Sequence, residues 1–238
     1  MSSGSPAPPS SFSRDRLNPV AVIPAYQAQA TISSLVRRIV AQKLPVIVVD
    51  DASSDQTVRR AEEAGARVLR RPVNGGKGKV LREGFEAALA AGYDWVLTLD
   101  ADGQHLPSEI PRFLEAAARG SADLILGNRM ENPKEMPRDR WLTNWLMSRI
   151  LSWIAGQRFP DTQCGFRAVH RRILEKVELR FDRFEIESEL LIQSAKAGAR
   201  IISIPVSSVY RRSLSFIRPV RDTFRFFYFL FWLWKTRR

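Results

Sequence analysis

Trp95-Val-Leu-Thr-Leu-Asp100-Ala-Asp102-Gly-Gln-His105 decides how this chain is read. Trp95 to Leu99 is an apolar, strand-like run that stops at two aspartates spaced one residue apart. Gly103, Gln104, His105 and Pro107 then turn the chain into a new helix. In an extended segment residues i and i+2 share a side, so Asp100 and Asp102 are expected to present both carboxylates to one hard cation. Gln104 continues the spacing with an amide oxygen. Magnesium and manganese suit such donors because they take oxygen ligands and share their shell with phosphates. Alone, D-x-D also reads as a solvated turn, since Asp and Gly are common turn residues.

Working outward, the preceding chain alternates strand-like and helix-like units. Val20 to Ile23 is a short buried strand ended by Pro24, and Thr31 to Gln42 follows with Ile32, Leu35, Val36 and Ile39 at helical spacing. Val46 to Val49 is a second strand, ending in Asp50 and Asp51. The next helix has Asp55 as its N-cap and closes at Gly65. Arg67 to Leu69 is a third strand, and Lys79 to Ala91 a third helix with Val80, Leu81, Phe85, Ala88 and Leu89 on its apolar face. Such alternation predicts an α/β fold with a mostly parallel central sheet flanked by helices. Ligands of open parallel sheets bind beyond the carboxyl ends of the strands. Pro24 to Tyr26, Asp50-Asp51 and Asp100 to Asp102 are therefore expected to converge.

Composition narrows the partners. Of 238 residues, 45% are hydrophobic and 26% charged, as in an ordinary globular protein. Lys and Arg outnumber Asp and Glu by 37 to 25, a net charge of +12 that calls for an acidic partner: nucleic acid, an anionic lipid surface or a phosphorylated substrate. No nucleic-acid-binding motif is present, and that class leaves the three acidic strand ends unexplained. The single cysteine, Cys164, excludes an internal disulfide, and two histidines are too few for a histidine-built metal site. Residues 1–18 are Ser- and Pro-rich and read as a disordered tail, 19–222 as one domain, and 223–238 as an aromatic and basic C-terminal segment.

Taken in order, PAY (24–26), VVDDASSDQT (48–57), NGGKGKVLREGF (74–85) and LDADGQH (99–105) resemble the nucleotide-sugar-binding half of family 2 glycosyltransferases of the GT-A fold. GNRM (127–130), DTQCGFRA (161–168), FEIESELL (184–191) and SFIRPVRD (215–222) resemble the dolichol-phosphate mannose synthase branch and its bacterial polyprenyl-phosphate relatives. The resemblance implies that Pro24 and Tyr26 border the nucleoside and that Asp51 contacts its base or ribose. It also implies that Asp100, Ala101 and Asp102 lie against the nucleotide, and that Asp100, Asp102 and Gln104 surround Mg2+ or Mn2+. Arg129 matches the arginine that meets phosphate oxygens, a task its planar fork suits. The chain also departs from that branch. Gln27 and Ala28 replace Asn-Glu, Asn144 stands where mannose synthases carry a second arginine, and Ser215 is followed by Phe216. Arg140, Ser148, Arg211 and Arg218 are the expected phosphate or acceptor contacts, and Gly75 to Lys79 is read as a flexible turn near the nucleotide.

The implied reaction moves a hexose from a nucleotide diphosphate such as GDP-mannose or a UDP-sugar, with inversion. A lipid-phosphate acceptor is already anionic and needs no base, whereas a hydroxyl acceptor needs a carboxylate. Asp161 and Glu187 are the candidates for that base. Phe224 to Trp234 is almost wholly apolar, but its unbroken run has nine residues, short of the roughly 20 that span a bilayer. It fits either an anionic membrane surface at the cytoplasmic face or a docked helix at a protein contact, including a homo-oligomer. Trp141, Trp145 and Trp153 mark a second amphipathic stretch, half core and half membrane-facing.

Overall fold

The computed structural model of the protein describes residues 17–131, 133, 136–209 and 228–230. Among the described residues, seven strands form one sheet in the order β3-β2-β1-β4-β6-β5-β7. These are β1 Pro19–Ala25, β2 Val46–Asp50, β3 Arg67–Arg70, β4 Trp95–Thr98, β5 Leu124–Asn128, β6 Arg167–His170 and β7 Ile201–Pro205. The β1–β2, β1–β4, β2–β3 and β5–β7 pairs are parallel, and β6 alone runs against its neighbours β4 and β5. The carboxyl ends of β1, β2, β4 and β5 therefore share one edge with the amino end of β6.

Strand periodicity builds the core on both faces. Ala21, Ile23, Val46 and Val48 join one buried cluster, while Val20, Val22, Ile47 and Val49 join the other. The first is covered by α1 (Ile32–Val40), which buries Ile32, Leu35, Val36 and Ile39, and by α4 (Ile110–Ala118), which buries Ile110, Phe113 and Leu114. The second is covered by α3 (Lys77–Ala90) and α7 (Glu185–Lys196), through Val80, Leu81, Phe85, Ile186, Leu190 and Leu191. Each such side chain contributes about 1.5–3 kcal/mol when fully buried. Gly84 lets α3 approach the sheet, because a Cβ there would stand 2.4 Å from Val22 Cγ1. The short helix α2 (Thr57–Glu63) connects β2 to β3, α6 (Arg171–Leu174) lies between β6 and α7, and α5 (Arg138–Ala155) lies between β5 and β6 in sequence.

Some expectations shift. Helix α2 begins at Thr57, and Asp55 caps it from two residues earlier by accepting from the Thr57 amide at 2.9 Å. Helix α3 begins at Lys77, opened by Gly76 at φ 91°. Leu17 and Asn18, read as part of the tail, are already tied down: Leu17 packs on the core and the Asn18 carbonyl accepts from the Asp94 amide.

Candidate functional site

Strand β4 ends at Thr98, so Asp100 lies just past the strand and Asp102 in the turn that follows. The two carboxylates, two residues apart, lie close enough to act on each other electrostatically. Asp102 Oδ1 accepts from the Gln104 amide at 2.9 Å, and Ala101 is buried, its carbonyl accepting from Thr31 Oγ1. Burial and the negative charge of Asp100 raise the pKa of Asp102. Burial acts the same way on Asp100, but the Lys77 ammonium and the hydrogen bond with His105 outweigh it and hold Asp100 well below the usual carboxylate range.

Lys77 is the centre of this cluster. Its Nζ donates to Asp100 Oδ1 at 2.5 Å and to Glu187 Oε1 at 2.8 Å, and it stands 5.8 Å from the Phe184 ring centroid. Burial lowers its pKa, yet the two carboxylates more than offset this and raise it. His105 Nε2 lies 3.3 Å from Asp100 Oδ2, and the His105 ring packs against Phe166 at 5.6 Å. Gly165 closes the remaining side, since a Cβ there would fall 2.3 Å from Asp100 Oδ2.

Asp51 shapes the neighbouring wall. Its Oδ1 accepts from the Gly75 amide at 2.8 Å and from Arg71 at 3.1 Å, and its Oδ2 accepts from the Gly76 amide at 2.8 Å. Gly75 and Gly76 thus form a fixed entry to α3, and Lys77 to Lys79 its first residues, where sequence suggested a flexible turn. The Gly78 amide donates to the Asp182 carbonyl, and a Cβ on Gly78 would meet the Phe181 carbonyl at 2.2 Å. Pro24 is half-buried at the end of β1 and Tyr26 is exposed just beyond it.

Arg129 follows β5 and is held by a two-point ion pair: Nε to Asp161 Oδ2 at 2.8 Å and Nη2 to Asp161 Oδ1 at 3.0 Å. The Arg129 amide donates to the same carboxylate at 3.1 Å, so the buried Asp161 orients Arg129. Behind it, Ser148 Oγ lies 3.2 Å from Thr162 Oγ1 and accepts from the Thr162 amide at 3.0 Å. Ser148 therefore braces α5 against the Asp161 turn, with Asn144 buried beside it and Arg140 half-buried. Arg167, wholly buried, donates to the carbonyls of Cys164, Glu187 and Thr162 and fastens this turn to α7. Arg211 and Arg218 lie outside the described residues. Of the C-terminal segment only Tyr228 to Leu230 is described, and there Phe229 is buried with Leu151 and Ile192.

Lys77, Gly165 and Arg167 carry more of this site than sequence reasoning assigned them. Only the glycine and basic spacing of NGGKGK hinted at the first. Among the described residues no group of three or more His, Cys, Asp or Glu side chains is arranged to hold a metal alone. The donors at Asp100, Asp102 and Gln104 nonetheless have the right chemistry for a hard cation that completes its shell with substrate phosphate. A cation would also offset the burial and the Asp100 charge that together raise Asp102.

Several known proteins share this architecture. Glucosyl-3-phosphoglycerate synthase from Mycobacterium tuberculosis, solved with Mn2+ and UDP-glucose, superposes with a TM-score of 0.69 at 22% identity, covering 90% of this chain and 79% of that one. The likeness establishes the GT-A fold. Undecaprenyl-phosphate mannosyltransferase of Micrococcus luteus is 34% identical over 179 residues, 70% of this chain and 72% of the relative. A UDP-N-acetylglucosamine–dolichyl-phosphate N-acetylglucosaminyltransferase of Methanococcus voltae is 29% identical over 236 residues, covering 89% and 94%. Residues 20–178 match the model of glycosyl transferase family 2. With that match spanning the strand ends, the paired aspartates and the Arg129–Asp161 turn, the chain belongs to glycosyl transferase family 2.

Proposed function

We propose that this glycosyltransferase moves a hexose from a nucleotide diphosphate donor, GDP-mannose or a UDP-sugar, to a polyprenyl or dolichyl phosphate at the cytoplasmic face of a membrane. The observation that carries the acceptor class is the state of the two carboxylates able to serve a hydroxyl as base. Asp161 is buried in a two-point pair with Arg129, and Glu187 is paired with Lys77. A lipid phosphate needs neither, because its attacking oxygen is already anionic.

In this reading Pro24, Tyr26, Asp51 and Ala101 border the nucleotide, and Asp100 and Asp102, with Gln104, hold a divalent cation. That cation supplies charge neutralisation at the departing diphosphate. Arg129, oriented by Asp161, faces the phosphates, and Lys77 fixes the directions of Asp100 and Glu187. A phosphate oxygen of the acceptor attacks the anomeric carbon as the bond to the diphosphate breaks, with inversion and no proton transferred. Catalysis is then positioning and electrostatic stabilisation of the leaving group.

The test compares polyprenyl phosphate with the corresponding free polyprenol as acceptor under identical conditions. Transfer to the phosphate alone, with inverted anomeric configuration, is expected. Transfer to the alcohol, or retention, would refute the base-free mechanism.

A further inference from the structure

We propose that the outer face of α5 docks on an anionic lipid bilayer and holds the acceptor side of the site toward it. This deepens the membrane part of the function above and does not depend on which donor is used.

Ten large hydrophobic side chains are exposed among the described residues, and five of them, Trp141, Leu142, Trp145, Leu146 and Trp153, lie on α5. At 3.6 residues per turn they fall within an arc of about 140°. Trp153 is 80% exposed. The Trp141 and Trp145 rings stack at 6.4 Å, and the Arg149 guanidinium sits 5.6 Å from the Trp145 ring. A contiguous apolar patch of this kind marks a partner surface.

Charge identifies the partner. Arg138 and Arg149, both exposed, share the arc with the tryptophans. A protein partner covering the arc would strip water from these guanidinium groups and would have to pair them. Lipid headgroups supply phosphates at that depth, where tryptophan rings also reside. The net charge of +12 acts in the same direction. None of the described helices is long and apolar enough to cross a membrane, so α5 lies along the interface.

The opposite face of α5 buries Asn144, Ser148 and Leu151. Ser148 is bonded to Thr162, the residue after the Asp161 that holds Arg129. One helix, about 10 Å thick, thus separates the docking face from the brace of the site.

The experiment uses the full chain with an environment-sensitive fluorophore attached through Leu146→Cys, and through Glu62→Cys on exposed α2 as control. Cys164 is buried and stays unlabelled. Phosphatidylcholine vesicles containing phosphatidylglycerol should blue-shift and brighten the probe at 146 and leave the probe at 62 unchanged. The doubly substituted Leu142→Glu, Leu146→Glu chain should partition onto these vesicles roughly tenfold or more weakly, while its melting temperature and its sugar transfer in detergent are unchanged. Equal vesicle binding by the double variant, an unshifted probe at 146, or equal binding to pure phosphatidylcholine would overturn the proposal. So would a probe at 146 that shifts without lipid as protein concentration rises, which would make this face a contact between copies. Loss of vesicle binding with detergent transfer intact isolates the docking face; absence of transfer to polyprenyl phosphate with vesicle docking intact rejects the acceptor reading alone.

Discussion

Gly165 lies against the carboxylate of Asp100 so closely that a Cβ would stand 2.3 Å from Oδ2, 2.8 Å from Cγ and 2.9 Å from Oδ1. Asp100 has little room to yield, being held by Lys77 on one oxygen and facing His105 with the other. Gly165→Ala should therefore displace Asp100 and lower kcat about 10- to 100-fold, as small misplacements in a positioned site do. Steady-state kinetics with a melting curve checks this. Unchanged turnover would mean that Asp100 is free to move without cost.

Lys77→Met leaves Asp100 and Glu187 facing each other without a cation. Asp100 is depressed in the folded protein, so its stabilising contribution is present above its unfolded pKa, about 3.9, and is lost as pH falls through the folded value. Wild type should exceed Lys77→Met in stability at neutral pH, and the gap should close on acidification below about pH 4. Denaturant midpoints measured across that range without divalent metal decide it. A gap that stays constant with pH would show that the ammonium does not set the Asp100 titration.

Asp161→Asn keeps the shape of the turn but removes the charge that compensates the buried Arg129. Breaking such a pair from one side costs about 3–5 kcal/mol, so a large fall in stability should accompany the loss of activity. If Asp161 were instead a proton acceptor for a hydroxyl substrate, activity would vanish with stability nearly intact.

Cys164 is buried, and burial pushes its thiol up to about 12. The native protein should be inert to a thiol reagent at pH 8, and one equivalent should react on denaturation. Rapid native labelling would mean that the turn from Asp161 to Gly165 opens, which the ties of Arg167 to Cys164 and Thr162 oppose.

Local periodicity made much of this molecule legible. The first, second and fourth strands announced themselves by short apolar runs, although β1 continues through Pro24 to Ala25, and the parallel order gathered their carboxyl ends. The two-sided character of α5 was likewise visible in its alternation of Trp and Leu with polar residues. The rest depends on distant partners. Lys77 reaches Asp100 across 23 residues and Glu187 across 110, so no local pattern reports the cluster. Gly75 and Gly76 read as mobile because glycine-rich chain usually is, but Asp51 fixes both amides. Strand β6 is four residues long and reversed, too short for an alternation signal. Ser148, an expected phosphate or acceptor contact, uses its hydroxyl on Thr162, a commitment set by packing between α5 and the following turn.

The most direct measurement is transfer of radiolabelled sugar from a panel of nucleotide sugars into polyprenyl phosphate, with Mg2+ or Mn2+, by the wild type and by Asp102→Ala. Label from one donor should enter the lipid-extractable product, fall to background when the metal is chelated, and be lost in the variant. Full transfer by Asp102→Ala, or transfer indifferent to chelation, would contradict a metal-assisted departure at the paired aspartates. Donor hydrolysis with no label in lipid would contradict the acceptor.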